Sequence, residues 1–298
     1  MRTERPSAPA GRIDSVDLPV HGDGGHAWRL LARVPERPSQ TLLWLPALGV
    51  AARHYLAFAD ALAARGVAVF LHEWRGHGSS SLRAGRRCDW GYRELLRLDL
   101  PRSEAMVAGR VPGLPRTLGG HSLGGQLACC RLALAPDSAT RLWLVASGAP
   151  WWRAFPARTR WWLPLAYRFL PWLADLRGAL PGHAVGFGGN EARGLVRDWA
   201  RTGLSGRYAA RGLDVDLDAA LRGAAPDVRA VWFADDWLGP PTSLRFLLDK
   251  LGSTDPTHIR LDRARLGVPA DHFAWMKRPD AVADVLADKS RDMSAIAR

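Results

Sequence analysis

Gly119-Gly120-His121-Ser122-Leu123-Gly124-Gly125 is the stretch on which the fold of this chain turns. Ahead of it, Thr117-Leu118 has extended propensity. Behind it, residues 126–135 string helix formers together and stop at Pro136. A strand that turns at once into a helix brings two backbones so close that a Cβ would collide. Gly120 and Gly124 stand two residues either side of Ser122, where that crowding is expected. A serine in such a turn is strained; its hydroxyl projects above the sheet, and the next N–H, that of Leu123, points toward an oxyanion forming on a substrate. G-x-S-x-G also arises by chance as a glycine-rich turn with a solvated serine, so the other parts of such a site have to be found.

A nucleophile of this kind needs an acid after a later strand and then a histidine near the end of the chain. Val228–Ala234 is β-branched and aromatic and empties into Asp235-Asp236-Trp237-Leu238-Gly239-Pro240. That is the rim where α/β sheets build their sites. Either aspartate could instead cap the segment that follows. Of nine histidines, only His183, His258 and His272 come after the turn. His258 opens Thr257–Leu261, which reads as the last strand, and His183 lies in a Trp- and Arg-rich insertion. His272 falls in the loop between the last strand and a terminal helix, the place for a general base. His121 is a poor base, because its place on the turn directs its ring away from Ser122.

Thr41-Leu42-Leu43-Trp44-Leu45 is an apolar run of strand length that leads into Pro46-Ala47-Leu48-Gly49-Val50. A second oxyanion N–H is expected from this loop, assigned to Leu48 with Ala47 as the fallback. Such backbone donors leave little mark on side chains, and an ordinary strand-to-helix connection would read the same way.

On these residues the chain resembles an α/β-hydrolase-fold serine hydrolase from about Ser15 to Ala287. It is most similar to the bacterial branch with a Pro-Ala-hydrophobic-Gly loop, grouped with serine aminopeptidase-like and monoacylglycerol-lipase-like hydrolases. The resemblance implies Ser122 as nucleophile, Asp236 as acid, His272 as base, and the Leu48 and Leu123 N–H groups as oxyanion donors. Asp236 is preferred over Asp235 because Pro240 follows it as in the Asp-x-x-x-Pro turn of such enzymes. Residues 73–80, Glu-Trp-Arg-Gly-His-Gly-Ser-Ser, match the Asp-x-Arg-Gly-x-Gly-x-Ser turn after the fourth strand, with Glu73 in place of aspartate. Asp271-His272 departs from the usual Gly-His.

The rest of the chain fits a mainly parallel sheet of about eight strands flanked by helices. Ala27–Val34, Val67–Leu71 and Arg141–Ala146 read as strands, Tyr55–Arg65 as a helix, and Arg93–Arg110 as a helix bent at Pro101. Arg116, at the start of the presumed central strand, is out of place there. Between residues 149 and 226 the composition shifts to Trp, Arg and Pro, as in Pro150-Trp151-Trp152-Arg153 and Arg160-Trp161-Trp162-Leu163-Pro164. The domain reading is therefore a hydrolase core in 1–148 and 227–298, with a helical cap in 149–226 inserted after the sixth strand. Such a cap excludes water and shapes an apolar acyl pocket. Its tryptophans could equally just pack on the core. Interleaved Arg and Trp also suit weak peripheral contact with a membrane, although the prolines interrupt any clean amphipathic pattern.

At 298 residues the chain has room for one core and a cap. The absence of an apolar segment after Met1-Arg2-Thr3, and the three cysteines (Cys88, Cys129 and Cys130) read as thiols, point to the cytoplasm. The first dozen residues are expected to be mobile. The net charge of +12 invites a nucleic-acid partner, but the excess is scattered arginine, with Lys250, Lys277 and Lys289 the only lysines, and no nucleic-acid module is readable. Gly186-Phe187-Gly188-Gly189 matches neither a P-loop nor a dinucleotide fingerprint, so no cofactor is expected. His21 and His26 lack the company a metal site needs.

The expected chemistry is hydrolysis of a hydrophobic small-molecule ester through an acyl-enzyme. Glu191, in the insertion, is the one residue that could serve an amine-binding, aminopeptidase-like variant. An acyltransferase with the same triad, or a lapsed hydrolase used as a binding or membrane-surface scaffold, are the alternatives.

Overall fold

The computed structural model describes residues 11–185 and 189–288. The first ten residues and Gly186-Phe187-Gly188, on which two expectations above rest, lie outside it. Eight strands form one sheet: β1 Ile13–His21, β2 Ala27–Pro35, β3 Gln40–Leu45, β4 Val67–Leu71, β5 Arg116–His121, β6 Arg141–Val145, and then, after a two-residue ribbon of β7 Leu180–Pro181 and β8 Asn190–Glu191, β9 Asp227–Phe233 and β10 Thr257–Leu261. Their order is β1-β2-β4-β3-β5-β6-β9-β10. β1 and β2 pair antiparallel, β2 meets β4 antiparallel, and every later pair is parallel.

β3 and β4 are buried at every position, as a parallel strand covered on both faces must be. One apolar cluster joins β2 and β5 to the helix Leu123–Leu134, with Leu30, Leu118, Leu127 and Cys130 fully or almost fully buried. A second lies on the opposite face and is built on Trp44, Phe58, Trp143, Phe233 and Trp275. The sheet is thus the middle of three layers, and β5 runs through its centre.

Two local details of the sequence reading gain a physical account. The helical stretch through Arg110 widens into a π-turn over Leu95–Asp99, just ahead of Pro101. Proline has no N–H to offer the carbonyl four residues back, and its ring crowds that carbonyl, so the preceding turn opens. Arg116 is exposed at the first position of β5 and donates from Nη2 to the Asp137 carbonyl at 2.8 Å, so its charge never enters the core.

Between β6 and β9 the chain forms the helices Ala157–Arg160, Leu163–Arg177, Arg193–Ser205 and Leu217–Gly223. Leu217 and Leu221 of the last, and Leu195 of the one before it, join the core cluster with Leu127. Two small clusters hold those helices together: Leu163 and Tyr167 against Ala200, and Leu170 and Ala174 against Val196. Gly203 is required at that contact, since a Cβ there would come within 2.5 Å of the Tyr167 ring.

Candidate active site

Ser122 stands between β5 and the helix Leu123–Leu134 with φ 54° and ψ −118°. Among the described residues only Ser122 and Ala146 combine a side chain with positive φ. Such a conformation costs about 1–3 kcal/mol and persists only where the surroundings impose it. They do. A Cβ on Gly120 would sit 2.3 Å from the Gly124 carbonyl carbon, and one on Gly124 would sit 2.0 Å from the Leu45 oxygen. The Ser122 N–H donates to the Val145 carbonyl at 3.0 Å, tying the turn to β6. Leu123 is the first residue of its helix, so its N–H has no intrahelical acceptor, and the positive end of the helix dipole faces the same place.

The two aspartates after β9 separate by environment. Asp235 is exposed, whereas Asp236 is buried. Asp236 Oδ1 accepts the N–H groups of Leu238 and Gly239 at 2.9 and 3.0 Å, and Oδ2 faces His272 Nδ1 at 2.8 Å. His272 is buried too, in the loop after β10. Its carbonyl accepts Trp275 Nε1–H at 3.1 Å, and Asp271 caps the turn by accepting the N–H groups of Phe273 and Ala274. The Asp235 N–H donates to the Ala270 carbonyl at 2.9 Å, which splices the acid's turn to the histidine's loop. With Nδ1 committed to Asp236, Nε2 is the ring nitrogen left for chemistry. His183 and His258 are exposed, the first in the insertion and the second on β10, and neither lines the cavity containing Ser122.

Ser122 and His272 line one cavity of about 340 Å³, together with Leu48 and Leu123. Phe155, Trp162, Leu163, Tyr167 and Leu170, from the segment between β6 and β9, form part of its apolar wall. Ala47 and Leu48, the two candidates on the loop after β3, differ in one respect. The Ala47 N–H already donates to the Tyr55 hydroxyl at 2.9 Å, while no bond of the Leu48 N–H is found among the described residues. Tyr55 Oη in turn lies 2.9 Å from His121 Nδ1. Burial, and next the nearby His272, hold the His121 pKa well below the usual imidazole value, so the neutral ring accepts the tyrosine proton. His121 is a buttress of the loop.

Further supports come from the turn after β4. Trp74 Nε1–H donates to the Pro46 carbonyl at 2.8 Å. Glu73 is buried and accepts the Ala52 N–H at 3.0 Å and the Ser79 N–H at 3.2 Å, so the longer acid still organises this turn. Burial raises its pKa, and those two N–H groups oppose the rise. Arg75 grips Asp99 with two bonds of 2.6 and 2.8 Å, and His26 approaches the same carboxylate at 3.3 Å. Burial works against the Asp99 charge, yet His26 and Arg75 outweigh it and hold the pKa below the usual range. The role of Trp74 was open to sequence reasoning, since it belongs to the recognised motif; Tyr55 carried no signal. Glu191 is buried 3.0 Å from His77 Nε2, close enough for an ion pair although not aligned as a hydrogen bond. It does not line the cavity with Ser122; with His77 it lines an adjoining small pocket that shares Leu48 and Leu123 with that cavity.

The sheet order and the cavity over its carboxyl ends define a hydrolase of the α/β-hydrolase fold. The chain belongs to the Hydrolase_4 family, serine aminopeptidase S33, whose model matches residues 36–265. Solved structures agree on the fold. The esterase domain of a Rhodothermus marinus protein superposes with a TM-score of 0.62 at 15% identity, covering 94% of this chain and 98% of that one. The monoacylglycerol lipase of Paleococcus ferrophilus gives 0.58 at 15%, covering 94% and 100%. Est1E of Butyrivibrio proteoclasticus, solved with ferulic acid bound, gives 0.62 at 14%, covering 94% and 100%. No curated protein matches the chain significantly.

Proposed function

We propose that this protein is a serine hydrolase that cleaves carboxylic esters of hydrophobic acids in two steps. Ser122 Oγ attacks the carbonyl as His272 Nε2 takes its proton. Asp236 holds the proton on Nδ1 and stabilises the imidazolium. The N–H groups of Leu48 and Leu123 receive the oxyanion, each worth about 3 kcal/mol of barrier. His272 returns its proton to the leaving alcohol, and water, deprotonated by the same nitrogen, then releases the acid from Ser122. The segment within 149–226 acts as the cap, its apolar inner wall excluding water and taking the acyl chain.

One observation carries this reading: the 2.8 Å contact between His272 Nδ1 and a buried Asp236, on the wall of the cavity that contains the strained Ser122. An ester is favoured because the cavity wall is mainly apolar and Glu191, the candidate amine partner, stands beside His77 and is not part of that wall. The test is labelling by a fluorophosphonate probe together with turnover of para-nitrophenyl esters from short to long chains. Wild type labels and hydrolyses; Ser122→Ala does not label, and His272→Ala loses about 10⁴-fold or more in kcat with the fold intact. Wild type that neither labels nor turns over would mean a lapsed enzyme. Alkyl ester appearing at the expense of free acid when alcohols are added would mean an acyltransferase.

A further inference from the structure

The helix Leu163–Arg177 has two apolar faces, and only one is used. Leu163, Tyr167, Leu170 and Ala174 are buried, at spacings of four, three and four residues. Leu165, Phe169, Trp172 and Leu176 repeat those spacings two residues further on and are 50–64% exposed. Two residues of an α-helix are about 200° of rotation, so the second stripe points away from the first, into solvent. Trp161, 71% exposed, extends it by one turn at the amino end. Pro164 sits in the first turn and Pro171 inside the helix without breaking either stripe, which is why the pattern was hidden in the sequence. A continuous exposed apolar stripe on a water-soluble fold marks a contact surface.

The charges around it indicate the partner. Residues 151–178 hold five arginines, Arg153, Arg158, Arg160, Arg168 and Arg177, against a single acid, Asp175. Asp175 is paired with Arg197, and none of the five arginines forms an ion pair among the described residues. Arg86 adds a further cation at the carboxyl end, donating to the Leu176 carbonyl at 2.8 Å. A protein partner would need a matching acidic, apolar groove. Long arginine stems beside tryptophan and leucine suit a plane where hydrocarbon meets anionic headgroups. The stripe is also joined to the site: Trp162 packs on Trp237, ring centroids 6.2 Å apart, and both line the cavity of Ser122 and His272.

We propose that the outer face of this helix, with Trp161, docks the protein on an anionic lipid surface, the apolar stripe entering the headgroup layer and the arginines holding phosphates at its edge. The docking would deliver lipid-borne esters to the mouth of the cavity, a consequence that rests on the hydrolase reading, whereas the docking itself does not.

The test is cosedimentation of the full chain with vesicles of phosphatidylglycerol and phosphatidylcholine, beside vesicles of phosphatidylcholine alone. Wild type pellets with the anionic vesicles, less as salt is raised, and weakly with the neutral ones. The doubly substituted Phe169→Asp, Trp172→Asp chain loses about tenfold or more in partitioning. Reversing Arg158 and Arg160 to Glu removes the preference for anionic vesicles. Circular dichroism and melting confirm that both variants are folded; these positions are exposed and outside the cavity wall. Ser122→Ala pellets like wild type, so a failure of the chemistry and a failure of docking are read separately. Wild type left in the supernatant, or pelleting unaffected by the stripe substitutions, would overturn the proposal. So would a wild-type dimer in sedimentation velocity that becomes monomeric in the stripe variant, since the stripe would then be covered by a second copy.

Discussion

Asp236→Asn isolates the orienting acid without changing its volume. Oδ1 accepts two backbone N–H groups, from Leu238 and Gly239, at 2.9 and 3.0 Å. The amide oxygen of asparagine must keep that place, because an NH₂ there would face two donors and leave them unpaired, at about 1–3 kcal/mol each. The NH₂ is therefore forced to where Oδ2 stood, 2.8 Å from His272 Nδ1. A donor now meets that nitrogen, so the ring must move its proton to Nε2, the nitrogen that should accept from Ser122. The folded state stays satisfied while the base is disabled. The expected loss is about 10³- to 10⁴-fold in kcat, or about 4–5 kcal/mol of barrier, with the melting temperature nearly unchanged. Asp235→Asn, at an exposed position, stays within about twofold of wild type, as surface changes do. Steady-state hydrolysis of a para-nitrophenyl ester and calorimetry of both variants decide it. An Asp236→Asn enzyme within tenfold of wild type, or a larger loss in Asp235→Asn, would refute the reasoning.

Tyr55→Phe strips the hydroxyl that joins the Ala47 N–H to His121 and leaves both buried groups without a partner; urea unfolding should show a loss of about 2 kcal/mol, with slower turnover as the loop after β3 loosens. Gly124→Ala puts a Cβ 2.0 Å from the Leu45 oxygen, where two backbones meet and neither can yield; it should destabilise by about 3 kcal/mol or more in the same assay, and a variant as stable as wild type would contradict the geometry. The His77 pKa is raised: burial works to lower it, and Glu191 beside it prevails. Because the folded value lies above the ordinary 6.5, the stability this pair contributes is fully present below that pH and fades as pH rises through the folded value. The difference in unfolding free energy between wild type and Glu191→Gln should therefore shrink as pH rises above 6.5, and a difference growing with pH would reverse the sign.

How far the chain could be read varies with the range of the forces involved. The turn around Ser122 is local: two glycines, a strand and a helix within twenty residues enforce one another, and the pattern survives in the sequence. β3 and β4, inside the sheet, are largely apolar and buried at every position because both faces are covered, and they were legible for that reason. Asp235 and Asp236 are chemically identical neighbours, and burial against the loop of His272 separates them, 36 residues further on. Ala47 and Leu48 differ as candidate donors only because a tyrosine from the next helical turn occupies one of their two N–H groups. The π-turn over Leu95–Asp99, just ahead of Pro101, left no mark in the sequence beyond the proline itself.

The sequence by itself determined the class of fold and the order of its parts along the chain, because periodicity, glycine spacing and strand composition answer to backbone geometry. Only the tertiary structure decided which carboxylate faces His272, which loop N–H donates to Tyr55, and which side of the helix Leu163–Arg177 meets solvent. Each of those depends on what a distant segment brings to the other side of a contact, and a residue's own neighbours in the chain carry no record of that.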